Sequence, residues 1–209
     1  MNASIASVRT LTRRGMKQIA RMLDKLSGGR VTPNAVTYFG FAMHIPIALL
    51  IATDHLIVGG IALIIFGLFD TLDGELARLK QMVTNSGGFL DASTDRFKEV
   101  LLYTAAAYLF ASGSHPTYAA IAVAACGASI CVSFVKAKGE AIVATTRQTI
   151  GYPELNKMFS GGLFPFEVRM AVLVLGLLAD QLVVAVAIIA VFSAAAACQR
   201  LVTIARRIG

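Results

Sequence analysis

Four aspartates, two on each side of a short connection, are the residues of this sequence most suited to chemistry. Asp70 and Asp73 lie three residues apart, and Asp91 and Asp95 lie four residues apart. Each spacing places two side chains on one face of an α-helix. Two facing pairs of carboxylates would form an oxygen cage for one or two hard cations, with Mg²⁺ or Mn²⁺ favoured over softer metals. The pattern therefore predicts a divalent-cation site.

Apolar sequence surrounds these acids. Residues 56–69 and 100–111 are almost entirely apolar, but each run is too short to cross a bilayer. Both helices must continue into the polar segment, which places the aspartates near a membrane interface, where ionised carboxylates are costly without a partner. A proton relay or a cation path would use such residues too. Arg78 and the nearby glycines suit a phosphorylated ligand and favour phosphoryl transfer.

The whole chain has the composition of a membrane protein. Of its 209 residues, 56% are hydrophobic and only 15% are charged, which excludes an ordinary soluble domain. The formal net charge of +7 does not indicate nucleic acid, because the basic residues lie beside apolar runs, where they face anionic headgroups. We therefore expect an integral membrane protein that does not bind nucleic acid.

Six membrane-spanning helices are predicted, so the expected fold class is an all-α polytopic membrane protein. Short turns separate the two members of each pair of spans. With the N-terminus inside, all 19 Lys and Arg fall at or near cytoplasmic ends, in agreement with the positive-inside rule. The predicted spans are residues 33–53, 56–80, 87–111, 116–137, 163–179 and 182–205, with turns at 54–55, 113–116 and 180–181.

The N-terminal segment has a different pattern. Residues 5–26 carry apolar side chains at helical spacing and basic side chains on the other faces, which is typical of a helix in the cytoplasmic membrane interface. Thr32 and Pro33 then begin the first span as N-cap and first helical residue. The predicted organisation is an amphipathic cytoplasmic-face helix in residues 1–30 and a six-helix membrane domain in residues 31–209.

The spacing from Asp70 to Asp95 also resembles a known family signature. It reads D-x2-D-G-x2-A-R-x8-G-x3-D-x3-D, and every fixed position is matched. This is similar to the signature of the CDP-alcohol phosphotransferase family of membrane enzymes, which are usually homodimers. The resemblance implies phospholipid synthesis by transfer of a phosphatidyl group from CDP-diacylglycerol to an alcohol, with release of CMP. The expected location is the bacterial cell membrane, with the active site at the cytoplasmic face.

The resemblance also implies roles for individual residues. Asp70, Asp73 and Asp91 would ligate two Mg²⁺ or Mn²⁺ ions per subunit. Asp95 would share in this metal site and act as the general base that deprotonates the acceptor hydroxyl. The cytidine diphosphate would be bound by Asp70, Gly74, Ala77, Arg78 and Gly87.

Three basic residues are candidates for binding an acceptor phosphate. Residues 133–140 resemble the Y-x-K-A-R-A-E segment of the phosphatidylinositol phosphate synthases within the family, with Phe134 in place of the tyrosine. A Q-R-L segment and an arginine at the start of the fifth span also match, whereas one further arginine of these enzymes is absent here. The resemblance implies inositol phosphate as the acceptor, with its phosphate bound by Lys136, Arg169 and Arg200.

Other assignments stay open for these cations and for the function. The three basic residues could belong to the positive belt beside the membrane, and Arg147 and Lys157 are alternative ligands in the inner loop. Glycerol 3-phosphate would use a similar cationic pocket, which makes phosphatidylglycerol phosphate the alternative product. Outside the family, a cation- or proton-coupled transporter is the rival function.

Overall fold

The computed structural model describes residues 15–146 and 164–208, and within these ranges all regular structure is α-helical. The all-α prediction is therefore confirmed. The first helix, α1, covers residues 15–26. The helices that follow are α2 (Pro33–Ala52), α3 (Leu56–Gly67), α4 (Phe69–Leu79), α5 (Asn85–Ser112), α6 (Pro116–Thr146), α7 (Phe166–Leu178) and α8 (Leu182–Ile208).

Most helix ends agree with the predicted spans to within a few residues. Thr32 Oγ1 accepts a hydrogen bond from the N–H of Ala35 at 3.2 Å, which confirms Thr32 as the N-cap of α2. The predicted second span is interrupted at Leu68 and divides into α3 and α4. The helix of the predicted fourth span, α6, runs to Thr146 instead of ending at residue 137, because Lys, Ala and Glu favour helix beyond the apolar stretch as well.

Four segments are long and apolar enough to cross a membrane. The first half of α5 carries several charged residues, and α7 has 13 residues, so neither is among the four. A helix of that length rises about 20 Å, against a hydrocarbon core of about 30 Å. The membrane character is supported, while the count of six spans stays a prediction. The four segments are Pro33–Ala52, Leu56–Leu79, Pro116–Val143 and Leu182–Arg206.

The three helix-joining turns that the sequence predicts share one backbone geometry. Asp54, Ser114 and Asp180 have positive φ values of 65°, 62° and 56°. In each turn the next residue donates its N–H to the carbonyl five residues earlier, at 2.8 Å. This is the closing bond of a Schellman motif, which Asp and Ser enter here without glycine. The turn at Asp180 therefore forms although no Gly or Pro marks it.

The chain divides into two compact units, of which unit 1 comprises Met1–Leu49 and Ile61–Leu101. Its apolar core joins α1, α2 and α4, because each of these helices contributes buried side chains to one cluster. The cluster consists of Ala20, Val36, Leu72 and Leu76. Leu72 and Leu76 lie four residues apart on α4, so this packing leaves another face of α4 for its polar residues.

The described part of the N-terminal segment, α1, exposes both apolar and basic side chains. Ala20 packs into the core of unit 1, whereas Ile19, Met22 and Leu26 are 44%, 62% and 83% exposed. The exposed basic side chains of this helix are Lys17, Arg21 and Lys25. Part of the predicted helix lies outside the described residues, and its location in the membrane interface stays a prediction.

Lys80 joins the end of α4 to the chain between α1 and α2. Its Nζ lies 3.0 Å from Asp24 Oδ1 and donates to the carbonyl oxygens of Gly29 and Val31 at 2.7 and 2.6 Å. Because one ammonium group binds all three, it holds the C-terminal end of α4 near the start of α2. This contact helps to position the polar end of α4.

Unit 2 comprises Leu50–Gly60 and Leu102–Gly209. Within it, α6 packs along α8, and α7 packs against α8 as an antiparallel pair across the turn at Asp180. A Cβ atom at Gly176 of α7 would lie only 2.2 Å from the Cβ of Ala185 in α8. The close approach of α7 and α8 therefore depends on a glycine at this position.

Candidate metal and nucleotide site

The polar residues of the site lie on two helices of unit 1. Asp70 and Asp73 lie near the start of α4, and Asp91 and Asp95 lie in the N-terminal half of α5. Thr84 caps α5, because its Oγ1 accepts a hydrogen bond from the N–H of Gly87 at 3.0 Å. This cap starts α5 at Asn85, before the predicted start at residue 87.

Three of the four predicted metal ligands come together, and we call Asp70, Asp91 and Asp95 the carboxylate trio. Oxygen atoms of the three lie within 4.8 Å of one another. Carboxylates at that separation repel each other by roughly 3 to 4 kcal/mol per pair at an effective dielectric constant of about 20. Cations must offset this repulsion, and hard oxygen donors are the ligands that Mg²⁺ and Mn²⁺ prefer.

Lys98 supplies one such cation, and the sequence analysis did not select it. Its side chain is 1% exposed, and Nζ donates to Asp70 Oδ1 and to Asp95 Oδ1, the latter at 3.3 Å. Lys98 follows Asp95 by three residues on α5, so helical spacing was the available signal for this pair. The contact with Asp70 on α4 depends on tertiary packing.

Asp91 gives the test of whether a metal ion fits the trio. Its Oδ1 atom is buried and has no hydrogen-bond partner among the residues that the structure describes. A buried carboxylate oxygen without a donor is costly, by roughly 1–3 kcal/mol or more. A divalent cation would satisfy this oxygen, so the residues present fit a Mg²⁺ or Mn²⁺ ion.

Asp73 lies outside the trio. Its side chain is buried, and Oδ2 accepts a hydrogen bond from Thr37 Oγ1 of α2. Thr37 was not a sequence candidate, because its partner lies 36 residues away along the chain. A share of Asp73 in metal binding stays a prediction.

A pocket of about 160 Å³ lies between the N-terminal end of α2, α4 and the start of α5, and we call it the α4–α5 pocket. Asp73 and Asp91 contribute to its walls, whereas Asp70 is not among the lining residues. The remaining predicted nucleotide ligands do line it, namely Gly74, Ala77, Arg78 and Gly87. The structure thus brings these four together, while their role as nucleotide ligands stays a prediction.

Glu75 orients Arg78 at the α4–α5 pocket. Arg78 Nη2 donates to Glu75 Oε1 at 2.7 Å, and Glu75 is buried while the Arg78 side chain is 48% exposed. A Cβ atom at Gly74 would lie 3.3 Å from Arg78 Nη2. The glycine therefore leaves the space that the guanidinium group occupies, and this group faces the pocket accessible to a ligand.

Two of the three predicted acceptor ligands lie on the packed pair α6 and α8 of unit 2. Arg200 Nη1 donates to the carbonyl oxygen of Val132 at 3.2 Å. Lys136 Nζ lies 3.6 Å from Glu140 Oε1. Since Val132 and Lys136 are four residues apart, Arg200 contacts α6 within about one helical turn of Lys136.

The third predicted acceptor ligand, Arg169 of α7, is 1% exposed. Its Nη1 donates to the carbonyl oxygen of Phe164 at 3.1 Å, and its guanidinium carbon lies 5.9 Å from the centre of the Phe166 ring. These contacts anchor the start of α7. The alternative ligands Arg147 and Lys157 lie outside the described residues, and an acceptor role for any of these cations stays a prediction.

Comparison with known sequences identifies the relatives of this chain. Residues 30–193 match the family described as CDP-alcohol phosphatidyltransferase. A phosphatidylinositol phosphate synthase of Mycobacteroides abscessus is 38% identical over 112 residues, which are 53% of this chain and 51% of the relative. One from Corynebacterium glutamicum is 33% identical over 129 residues, which are 60% and 58% of the two chains. The matches thus span little more than half the length of these curated relatives.

Solved structures show the same fold. The phosphatidylinositol phosphate synthase of Mycobacterium tuberculosis with CDP-DAG bound gives a TM-score of 0.77 at 25% identity, over 91% of this chain and 94% of that chain. The structure of that protein with manganese and citrate gives 0.75 at 26% identity, over 90% and 88%. The resemblance inferred from the aspartate spacing is confirmed, and this chain belongs to the CDP-alcohol phosphatidyltransferase family.

Proposed function

We propose that this protein transfers the phosphatidyl group of CDP-diacylglycerol to an alcohol in the bacterial cell membrane, with release of CMP. The observation that carries this proposal is the position of Asp91. It belongs to the carboxylate trio and also lines the α4–α5 pocket. One residue thus joins a cation site to a pocket with an accessible arginine, which is the combination that transfer of a substituted phosphoryl group requires.

The α4–α5 pocket would bind the cytidine diphosphate. Arg78 donates to Glu75 through Nη2, and its remaining N–H groups would bind phosphate oxygens. Gly74, Ala77 and Gly87 carry at most one side-chain carbon, so a ligand can approach the helix backbone closely. The CDP-DAG bound to the related protein of Mycobacterium tuberculosis supports this donor.

The carboxylate trio, together with Asp73, would hold Mg²⁺ or Mn²⁺, and the family resemblance implies two ions per subunit. Bound metal would neutralise the diphosphate and stabilise the CMP leaving group. Asp95 would accept the proton of the acceptor hydroxyl while the hydroxyl oxygen attacks phosphorus. The manganese in the structure of the relative supports a divalent cation.

Inositol phosphate is the proposed acceptor. The two curated relatives described above are named phosphatidylinositol phosphate synthases, which supports this choice. Lys136, Arg169 and Arg200 would bind the phosphate of the acceptor through charge-assisted hydrogen bonds. Glycerol 3-phosphate carries a similar phosphate and is the rival acceptor within the family.

The proposed topology adds α5 and α7 to the four apolar segments, which gives six spans with the N-terminus in the cytoplasm. The helix α1 would lie at the cytoplasmic interface, with its basic side chains near anionic headgroups. The site would then face the cytoplasm, so that lipid chains stay in the bilayer while soluble CMP leaves. We propose a homodimer, as the family resemblance implies.

Release of CMP from the purified protein in phospholipid vesicles tests the proposal. With Mg²⁺ and CDP-diacylglycerol present, we expect CMP only after an acceptor is added, with inositol phosphate fastest, and none after EDTA. Fastest release with glycerol 3-phosphate would select the rival acceptor. A protein that released no CMP with inositol phosphate, glycerol 3-phosphate or serine, but carried cations across the vesicle membrane, would be a transporter.

A further inference from the structure

Lys98 has no role in the chemistry proposed above, yet it lies in the middle of the site. Its side chain is 1% exposed on α5, and its ammonium group donates to two members of the carboxylate trio, Asp70 and Asp95. Lysine is seldom buried unless its charge is paired. A buried lysine paired with the ligands of a cation site competes with a metal ion for their oxygen atoms.

The geometry distinguishes two places within the trio. A Mg²⁺ ion bound to the Oδ1 atoms of both Asp70 and Asp95 would lie about 2.0–2.1 Å from each of them, and Mn²⁺ only slightly farther. Lys98 Nζ already contacts these same two atoms, so the ammonium group and a bridging ion would overlap. Asp91 Oδ1, by contrast, is buried without a hydrogen-bond partner within the described ranges. The ammonium group of Lys98 thus lies between Asp70 and Asp95, whereas Oδ1 of Asp91 is available to a metal ion.

The formal charges agree with this geometry. The three carboxylates of the trio carry one negative charge each and Lys98 one positive charge, so these four residues keep two negative charges, which one divalent ion neutralises. Asp73, which is hydrogen-bonded to Thr37, lies outside this group. Arg96 lies 3.8 Å from Asp95 Oδ2, but its Nε also lies 3.3 Å from Glu99 Oε2. The charges of Arg96 and Glu99 therefore cancel, and the balance is unchanged.

We infer that Lys98 takes the place of a second metal ion, so that the substrate-free protein binds one divalent cation per subunit. The inference rests on the proposed function, since it concerns the metal of the same site, and it departs from the two ions that the family resemblance implies. Lys98 is then a positioning residue, which holds Asp70 and Asp95 in their places beside the single ion.

The number of bound Mn²⁺ ions tests this inference without any turnover. The full chain is purified in detergent without nucleotide and titrated with Mn²⁺, while the free ion is followed by electron paramagnetic resonance. We expect one tightly bound ion per subunit in the wild type and two in Lys98→Met, in which Oδ1 of both aspartates is free. Arg96→Lys is the matched control, because it changes a neighbouring cation on the same helix without changing the charge and should leave the count at one.

Each outcome decides between the proposals. Two ions in the wild type, or one ion in Lys98→Met, would overturn the role of Lys98 and leave the proposed transfer reaction intact. No bound Mn²⁺ in either protein would overturn the metal site itself, and with it the proposed function. If Lys98→Met does not fold, Lys98→Gln keeps a hydrogen-bond donor without the charge and should also bind two ions.

Discussion

Each of the two units of this protein buries a cluster of polar side chains, and the two clusters differ in charge. In unit 1 the buried groups at the site are ionisable, such as Asp73 and Lys98, and they bond to residues far away along the chain. In unit 2 a neutral cluster lies between the helices, where Ser129 Oγ is 3.5 Å from both Tyr103 Oη and Ser193 Oγ. Between these two clusters the difference is therefore one of charge, while Arg169, a buried charged side chain of unit 2, donates instead to the carbonyl oxygen of Phe164.

The two kinds of buried polar group contribute differently to the stability of the folded protein. Buried charges are costly to desolvate even when they are paired, so a folded protein rarely gains from them. Hydroxyl groups between membrane helices contribute favourably, on average by about 0.6 kcal/mol. The charged cluster of unit 1 is therefore not explained by stability and fits the chemistry proposed for it, whereas the neutral cluster of unit 2 helps to hold its helices together. Four substitutions test or sharpen this distinction.

The largest effect is expected at Asp95, the proposed general base, in unit 1. Asp95→Asn should lower kcat for CMP release by about 10²- to 10⁴-fold, because an amide cannot accept the hydroxyl proton, while CDP binding changes little. Asp54→Asn in unit 2 is the control, since asparagine tolerates the left-handed backbone of this exposed turn, and kcat should be unchanged. Substantial turnover by Asp95→Asn would show that another group takes the proton.

A packing change should have the next largest effect, in unit 2. Gly176→Ala forces a methyl group against Ala185, which typically costs about 1–3 kcal/mol of unfolding free energy and should lower Tm by several degrees. Gly127→Ala on α6 is the matched control, because a Cβ there meets no atom within 4 Å. Its effect should stay within about 1 kcal/mol. Equal Tm values for the two variants would contradict the close contact of α7 with α8.

Loss of a neutral donor to a buried acid is expected to act more moderately. Thr37→Val removes the hydroxyl that donates to Asp73 and should lower the unfolding free energy of the metal-free protein by about 1–3 kcal/mol. Thr53→Val, in the exposed turn after α2, removes hydroxyl contacts to Leu50 and His55 that water can replace, so it should change the unfolding free energy by less than about 0.5 kcal/mol. Thermal unfolding in detergent measures both. A Thr37→Val protein as stable as the wild type would show that the hydrogen bond from Thr37 to Asp73 does not stabilise unit 1.

The smallest effect is expected at Lys136, a charged residue of unit 2 with a proposed role in binding the acceptor. Lys136→Ala should raise the KM for the acceptor about tenfold with little change in kcat, since a charge-assisted hydrogen bond contributes about 1.5–3 kcal/mol. Lys138→Ala, an exposed lysine of the same helix, should leave KM unchanged. Initial rates of CMP release against acceptor concentration give both values. An unchanged KM in Lys136→Ala would contradict a role for Lys136 of unit 2 in binding the acceptor.

Local patterns made much of the fold predictable. The N-cap at Thr32 and the turn at Asp180 lie where the sequence predicts them, because capping and turn formation involve residues only a few positions apart. The interruption at Leu68 was not predicted, since apolar residues continue on both sides of it. The length of α6 was underestimated because hydropathy marks the bilayer and not the end of a helix.

The features of the site likewise separate into those that the sequence predicted and those that only the structure showed. Helical spacing paired Asp91 with Asp95, and the motif identified the family, because both depend on short separations along the chain. Distances between helices decided the rest: three aspartates form the trio, Asp73 bonds to Thr37, and Lys98 lies between two acids. Sequence alone determined which residues could bind a metal and a nucleotide. Only the packing of α2, α4 and α5 decided how their charges are paired, because that pairing joins residues about 30 positions apart.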